Sequence, residues 1–110
     1  MSDRRIPGES LRVSQTTHRF EGHEHGAGVS FFLVDYPPGR GTEPHRHPYA
    51  EVFVVESGEA AFTLDGEDVT AAAGDVVVVP AGTAHRFEAA GEGLRMTCIH
   101  AAGTMETEWL

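Results

Sequence analysis

Turn signals recur at close, regular intervals along this chain, and they restrict it to short strands. Pro37-Pro38-Gly39, Ser57-Gly58-Glu59, Asp65-Gly66, Gly74-Asp75, Pro80-Ala81-Gly82-Thr83 and Gly91-Glu92-Gly93 punctuate it. Between them lie runs rich in β-branched and aromatic residues, the composition of strands. Strands are predicted over 29–36, 49–56, 60–64, 69–73, 76–79, 84–89 and 94–100, with a short one at 11–13. No convincing amphipathic helix appears. Asp65-Gly66, between two such runs, is a strong hairpin signal. The run Val76-Val77-Val78-Val79 reads as a fully buried strand. Within 49–56, Glu51, Phe53 and Val55 share one face, and Val52, Val54 and Glu56 share the other.

So many strands leave many edges, which closing or doubling a sheet protects. The expected class is all-β, a sandwich or a barrel. The length suits one domain, 1–110. A loose arm at about 1–9, a loop over 14–28 and a polar tail ending in Trp109-Leu110 surround a body at about 29–102.

The formal net charge is −9, from 17 acidic and 8 basic side chains. No basic run interrupts that acidity, so neither nucleic acid nor membrane is an expected partner. Every basic residue is an arginine, which excludes Schiff-base chemistry on a lysine. The single cysteine, Cys98, cannot form an internal disulfide and reads as a small buried side chain. There is no N-terminal hydrophobic segment and no long apolar run, so the expected location is cytoplasmic.

The chemistry concentrates in Gly39–Glu51. His45, His47 and Glu51 have one parity, so in extended chain two imidazoles and a carboxylate share a face, unless a tight turn at Pro48 breaks that parity. Neutral imidazole and carboxylate are ligands that divalent transition metals prefer. A further candidate, His85, follows the turn at Pro80–Thr83. His23-Glu24-His25 is a second His-x-His pair. It has no following carboxylate at matching spacing and is surrounded by Gly22, Gly26 and Gly28, so it reads as a solvated loop.

Gly39-(five)-His45-x-His47-(three)-Glu51-(six)-Gly58 resembles the first motif of the cupin superfamily. Gly74-(five)-Pro80-x-Gly82-(two)-His85 resembles its second, with Ala89 where an asparagine usually closes it. Together the motifs span about half the chain. The resemblance implies a cupin-type double-stranded β-helix, a jelly-roll barrel. It implies His45, His47, Glu51 and His85 as ligands of one divalent transition metal ion: Fe, Mn, Ni, Cu, Co or Zn. It also implies a homodimer, with residues 1–20 and the Trp109-Leu110 end as candidate contacts.

The function expected is a metal-dependent enzyme of dioxygenase type, an oxidoreductase acting on a small organic molecule. The alternatives are metal-dependent isomerase, cyclase or lyase chemistry, or a non-catalytic cupin that binds a small ligand. A metal-free sugar-binding cupin fits the complete ligand set less well. Phe31, Phe53, Phe87 and Val55 are candidate pocket walls by parity. His100, Tyr36, Tyr49 and His25 are the available proton donors, and Arg40, Arg46 and Arg95 could grip a substrate carboxylate. No catalytic residue is singled out.

Overall fold

The computed structural model describes residues 4–110; Met1–Asp3, part of the expected arm, lie outside the described residues. Eight strands follow in order: β1 (Thr17–Phe20), β2 (Ser30–Tyr36), β3 (His45–Arg46), β4 (Glu51–Leu64), β5 (Glu67–Ala72), β6 (Val76–Val79), β7 (His85–His100) and β8 (Glu108–Trp109). Among the described residues the only helical segments are two short 3-10 turns, Gly8–Leu11 and Gly22–His25. No helix among the described residues is long and apolar enough to cross a membrane.

All pairings are antiparallel. One path runs β1-β2-β7-β3-β8, and β4 pairs with β5, β6 and β7. The sheet curls into the expected jelly-roll barrel. Its interior is filled by Phe53, Val55, Phe62, Phe87, Leu94 and Met96, each at most 3% exposed. The Asp65-Gly66 hairpin forms as predicted between β4 and β5, with both residues at positive φ (47° and 81°).

Several sequence expectations need correction. Ser57-Gly58-Glu59 and Gly91-Glu92-Gly93 do not divide strands. They lie within β4 and β7, where register shifts between Val55 and Ser57 and between Gly58 and Glu59 bend one continuous ladder. Gly58 has φ 81°, and a Cβ there would overlap the Gly93 carbonyl, so the two glycines let the backbones meet where the sheet turns. The expected loop over 14–28 contains β1, which adds to the edge of β2. Residues 11–13 form no strand; Arg12 makes an isolated bridge to His18 after a 3-10 turn. Val76–Val79 is not buried on both faces. Val77 and Val79 are 8% and 2% exposed, while Val76 and Val78 are 56% and 60% exposed. A run of β-branched residues has no parity of its own, so its composition could not reveal a half-exposed strand.

Those two exposed valines belong to a wider outer face. Register places Phe20, Phe31, Ile99, Val52 and Val78 in one row across five strands. His18, Leu33, Thr97, Val54 and Val76 form the next row. Neither row contains an acidic residue.

Candidate metal centre

The four sequence-predicted residues converge. The short β3 carries His45, the following bend carries His47, Glu51 starts β4 and His85 starts β7. They are 7%, 4%, 3% and 2% exposed. One ligand atom from each lies within 4.8 Å of those of the others, so the four can hold a metal ion.

Three backbone carbonyls decide how the imidazoles face. His45 Nδ1 lies 2.7 Å from the Glu43 carbonyl, His47 Nδ1 lies 2.7 Å from that of Glu106, and His85 Nδ1 lies 2.9 Å from that of Thr83. A carbonyl only accepts, so each Nδ1 donates and each Nε2 is turned inward. Outer partners of this kind fix the orientation of metal-binding histidines. The Nε2 atoms of His47 and His85 lie 3.0 and 3.2 Å from Glu51 Oε1. Lone pairs meeting a carboxylate oxygen at that range require positive charge between them, either a proton or a metal ion.

The electrostatics agree. Burial alone would raise the Glu51 carboxyl, but hydrogen bonds from His100, His47 and His85 outweigh it and hold the group far below the usual carboxylate range. Burial also opposes charge on His47, yet the Glu51 carboxylate and the Glu106 carbonyl prevail, and its pKa lies above 6.5. Burial keeps His45 below 6.5. A buried carboxylate among three inward-facing imidazole nitrogens is a donor set that fits a divalent transition ion.

Above these residues lies a cavity of about 190 Å³. Its apolar walls come from Phe32, Val34, Tyr36, Phe87 and Trp109. Phe87 was an expected wall; Phe31 was not correctly placed. Phe31 pairs with Ile99 and Phe20 on the outer face, and the inward residue of that strand is its neighbour Phe32. Phe53 and Val55 lie in the core, with Phe53 edge-on to the His85 ring at 6.0 Å. None of the three arginines lines this cavity. Arg40 lies over the Tyr36 ring at 5.4 Å, Arg46 pairs with Glu108 at 2.7 Å, and Arg95 is exposed on β7. His25 stacks on Phe20 away from the site. The His23-Glu24-His25 segment is exposed, as expected, but it forms a 3-10 turn and not an irregular loop, with His23 Nε2 3.7 Å from a Glu21 oxygen and 4.0 Å from one of Glu24.

Two contributors were not legible as such. His100 is 2% exposed, and its Nε2 lies 3.2 Å from Glu51 Oε2. Its inward parity with Met96 and Cys98 is present in the sequence, but its partner is not. The segment 105–110 crosses the cavity mouth: Glu106 holds His47, and Trp109 pairs with His45, with the rings 5.0 Å apart. A polar tail carries no local signal for such docking.

A cupin-domain family model matches residues 32–100. An uncharacterised protein of Streptomyces coelicolor is 38% identical over 78 residues, covering 69% of this chain and 70% of that protein. The dimethylsulfoniopropionate lyase of Ruegeria pomeroyi is 30% identical over 74 residues, 67% of this chain and 49% of the lyase. The chain therefore spans about half the length of that enzyme. Among solved structures, a mutant of Bacillus subtilis oxalate decarboxylase superimposes with a TM-score of 0.77 at 22% identity, covering 90% of this chain and 29% of that one. A second structure of that enzyme, reported for its Mn(II) centres, gives 0.75 at 28% identity over 88% of this chain and 29% of that one.

Proposed function

The chain belongs to the cupin family, and on that premise we propose that it is a metal-dependent enzyme of dioxygenase type acting on a small organic molecule. The observation that carries this reading is the convergence of three carbonyl-oriented imidazoles and one buried carboxylate beneath an apolar cavity. His45, His47, Glu51 and His85 would hold the ion, one of Fe, Mn, Ni, Cu, Co or Zn. Bound there, it supplies a Lewis acid and, for the redox-active members of that set, a centre for dioxygen chemistry. Where both oxygen atoms enter the product of an oxidative cleavage, the substrate supplies all four electrons and no external reductant is needed.

The chain's own residues supply the surroundings. Phe32, Val34, Tyr36 and Phe87 exclude water and favour an apolar substrate body. At its polar end the cavity presents His45, His47 and Glu51, with the hydroxyls of Thr17, Thr42 and Thr107 along its lining, and there a substrate's polar groups would be received. A lyase is the second reading. It is favoured by the likeness to the Ruegeria pomeroyi enzyme and by a Tyr49–His100 pair beside Glu51, with oxygen and nitrogen 2.7 Å apart.

The proposal extends to one domain over 1–110, a cytoplasmic location with Cys98 reduced and buried, and a homodimer. The uncharged double row on the outer face supports the homodimer. In a chain of net charge −9, none of its own residues is acidic, and Glu56, which reaches its rim, accepts a hydrogen bond from Thr97 at 3.2 Å.

The test is metal content by plasma mass spectrometry, with a His45→Ala/His85→Ala double variant as control, followed by oxygen-uptake screens on small aromatic and enol substrates. About one redox-active ion per chain, lost in the variant, together with substrate-dependent oxygen uptake supports the dioxygenase. Substrate cleavage without oxygen uptake supports the lyase. A chain that takes up no ion even after anaerobic reconstitution overturns both.

A further inference from the structure

Glu51 meets three histidines, and one of them differs from the others. His47 and His85 face Oε1 and each commits Nδ1 to a backbone carbonyl. His100 faces Oε2 at 3.2 Å, and its Nδ1 meets a hydroxyl instead, Tyr49 Oη at 2.7 Å.

The direction of that hydrogen bond follows from what surrounds Tyr49 and His100. The Glu106 amide donates to Tyr49 Oη at 3.0 Å. The hydroxyl has one proton and two acceptors in reach, His100 Nδ1 at 2.7 Å and the Glu106 carbonyl at 3.3 Å. A carboxylate oxygen only accepts, so Nε2, which faces Glu51 Oε2 at 3.2 Å, carries the ring proton, and Nδ1 is left to accept from the hydroxyl. His100 is thus the opposite tautomer from the carbonyl-bound rings. A nitrogen that carries a proton toward the site cannot ligate a metal there.

We propose that His100 is a positioning residue that acts through Glu51, set in its donor tautomer by Tyr49 and the Glu106 amide. It occupies Oε2, leaves Oε1 as the one ligating oxygen, and is itself kept out of the ligand set. The inference rests on the metal reading above. Were an ion held here, Glu51 would offer it one oxygen, and a position that a chelating carboxylate would fill would be left for substrate. Packing alone does not account for the arrangement. Phe32 lies edge-on to the ring at 5.5 Å, a contact that calls on neither ring nitrogen.

The experiment uses the full chain. Long-range ¹H–¹⁵N spectra of the metal-free protein, at a pH where His100 is neutral, read its tautomer, and calorimetric titration with Mn(II) reads affinity. His100→Phe keeps an aromatic ring and removes the donor; His100→Gln keeps an N–H donor. We expect the Nε2–H form of His100 in the wild type and a gain of the Nδ1–H form in Tyr49→Phe. Mn(II) affinity should fall roughly 10–100-fold in His100→Phe, the range for outer partners of metal ligands, and only a few-fold in His100→Gln. The Mn(II) electron paramagnetic resonance fine structure should change in His100→Phe and stay near wild type in His100→Gln. An Nδ1–H wild-type ring, or His100→Phe with wild-type affinity and spectrum, overturns the positioning role while leaving the metal site standing. Equal losses in both variants also overturn it, since a packing role would not distinguish them. A wild-type chain that binds no divalent ion overturns the metal reading and this role together.

Discussion

His85 and His100 stand at opposite ends of β7, yet both reach Glu51, with Nε2 atoms 3.2 Å from Oε1 and Oε2 respectively. A 16-residue strand drawn out straight would span about 50 Å. Its two ends meet at one carboxylate because the β4–β7 ladder curls through the irregularities near Gly58 and Gly93. The site is thus the place where the barrel closes, and several expected outcomes follow from that geometry.

The first concerns the segment that crosses the cavity mouth. Its Glu106 carbonyl is the partner of His47 Nδ1, across 59 residues of sequence. Removing residues 105–110 should lower Mn(II) affinity roughly 10–100-fold while far-ultraviolet circular dichroism stays that of the intact barrel. Calorimetry on the truncated chain is the check, and wild-type affinity would show that the carbonyl does not orient the ring.

The second concerns pH and metal. His47 has its pKa raised above 6.5, and it must lose a proton before Nε2 can ligate. Acidification should therefore weaken metal binding beginning above pH 6.5. A Mn(II) titration series in which affinity stays flat until well below that value would contradict the assignment.

The third concerns stability without metal. Glu51 has a depressed pKa, so its contribution is fully present above the ordinary value of 4.5 and is lost as pH falls through the lower folded-state value. Glu51→Gln should be less stable than wild type near neutrality, and the gap should close as pH falls below 4.5. Urea midpoints measured against pH decide this; a gap that widens in acid would reverse the sign.

A fourth outcome tests the bend. Gly58→Ala places a side chain at φ 81° against the Gly93 carbonyl. Strain and overlap together should cost about 2 kcal/mol or more, read as a lower urea midpoint. A loss below about 0.5 kcal/mol, the scale of ordinary surface changes, would mean that the two strands do not need this close approach.

The fifth addresses the outer face. Val78→Glu puts a carboxylate at the end of a five-residue apolar row and should convert dimer to monomer in light scattering without changing metal stoichiometry. A dimer that survives the change would move the interface elsewhere, with residues 1–20 as the next segment to delete.

Much of this architecture was legible because it is periodic. The Asp65-Gly66 turn and the alternation through 51–56 are local patterns, and the structure follows them; His45, His47 and Glu51 converge as expected, but across a bend at Pro48-Tyr49 and not along one extended strand. The partner of His100 lies on another strand, and no local pattern names it. The same holds for Glu106 and Trp109, whose roles depend on where a tail docks. Phe31 and Phe32 are adjacent and alike, so only the strand's registration against β7 separates the outward ring from the inward one. The four valines of β6 failed for a related reason: identical residues cannot record which face is which.

The meeting of β7's ends at Glu51 also bears on biogenesis. As the nascent chain leaves the ribosome, His45, His47 and Glu51 emerge together, long before His85, His100 and the Glu106 carbonyl that holds His47. Until translation has passed residue 106, the early donors face solvent without the groups that orient them. A complete, oriented donor set therefore forms only after β7 and the 105–110 segment have been made and have docked. The donor set would then report on the closure of the barrel itself: an unclosed chain offers the same residues without their common orientation.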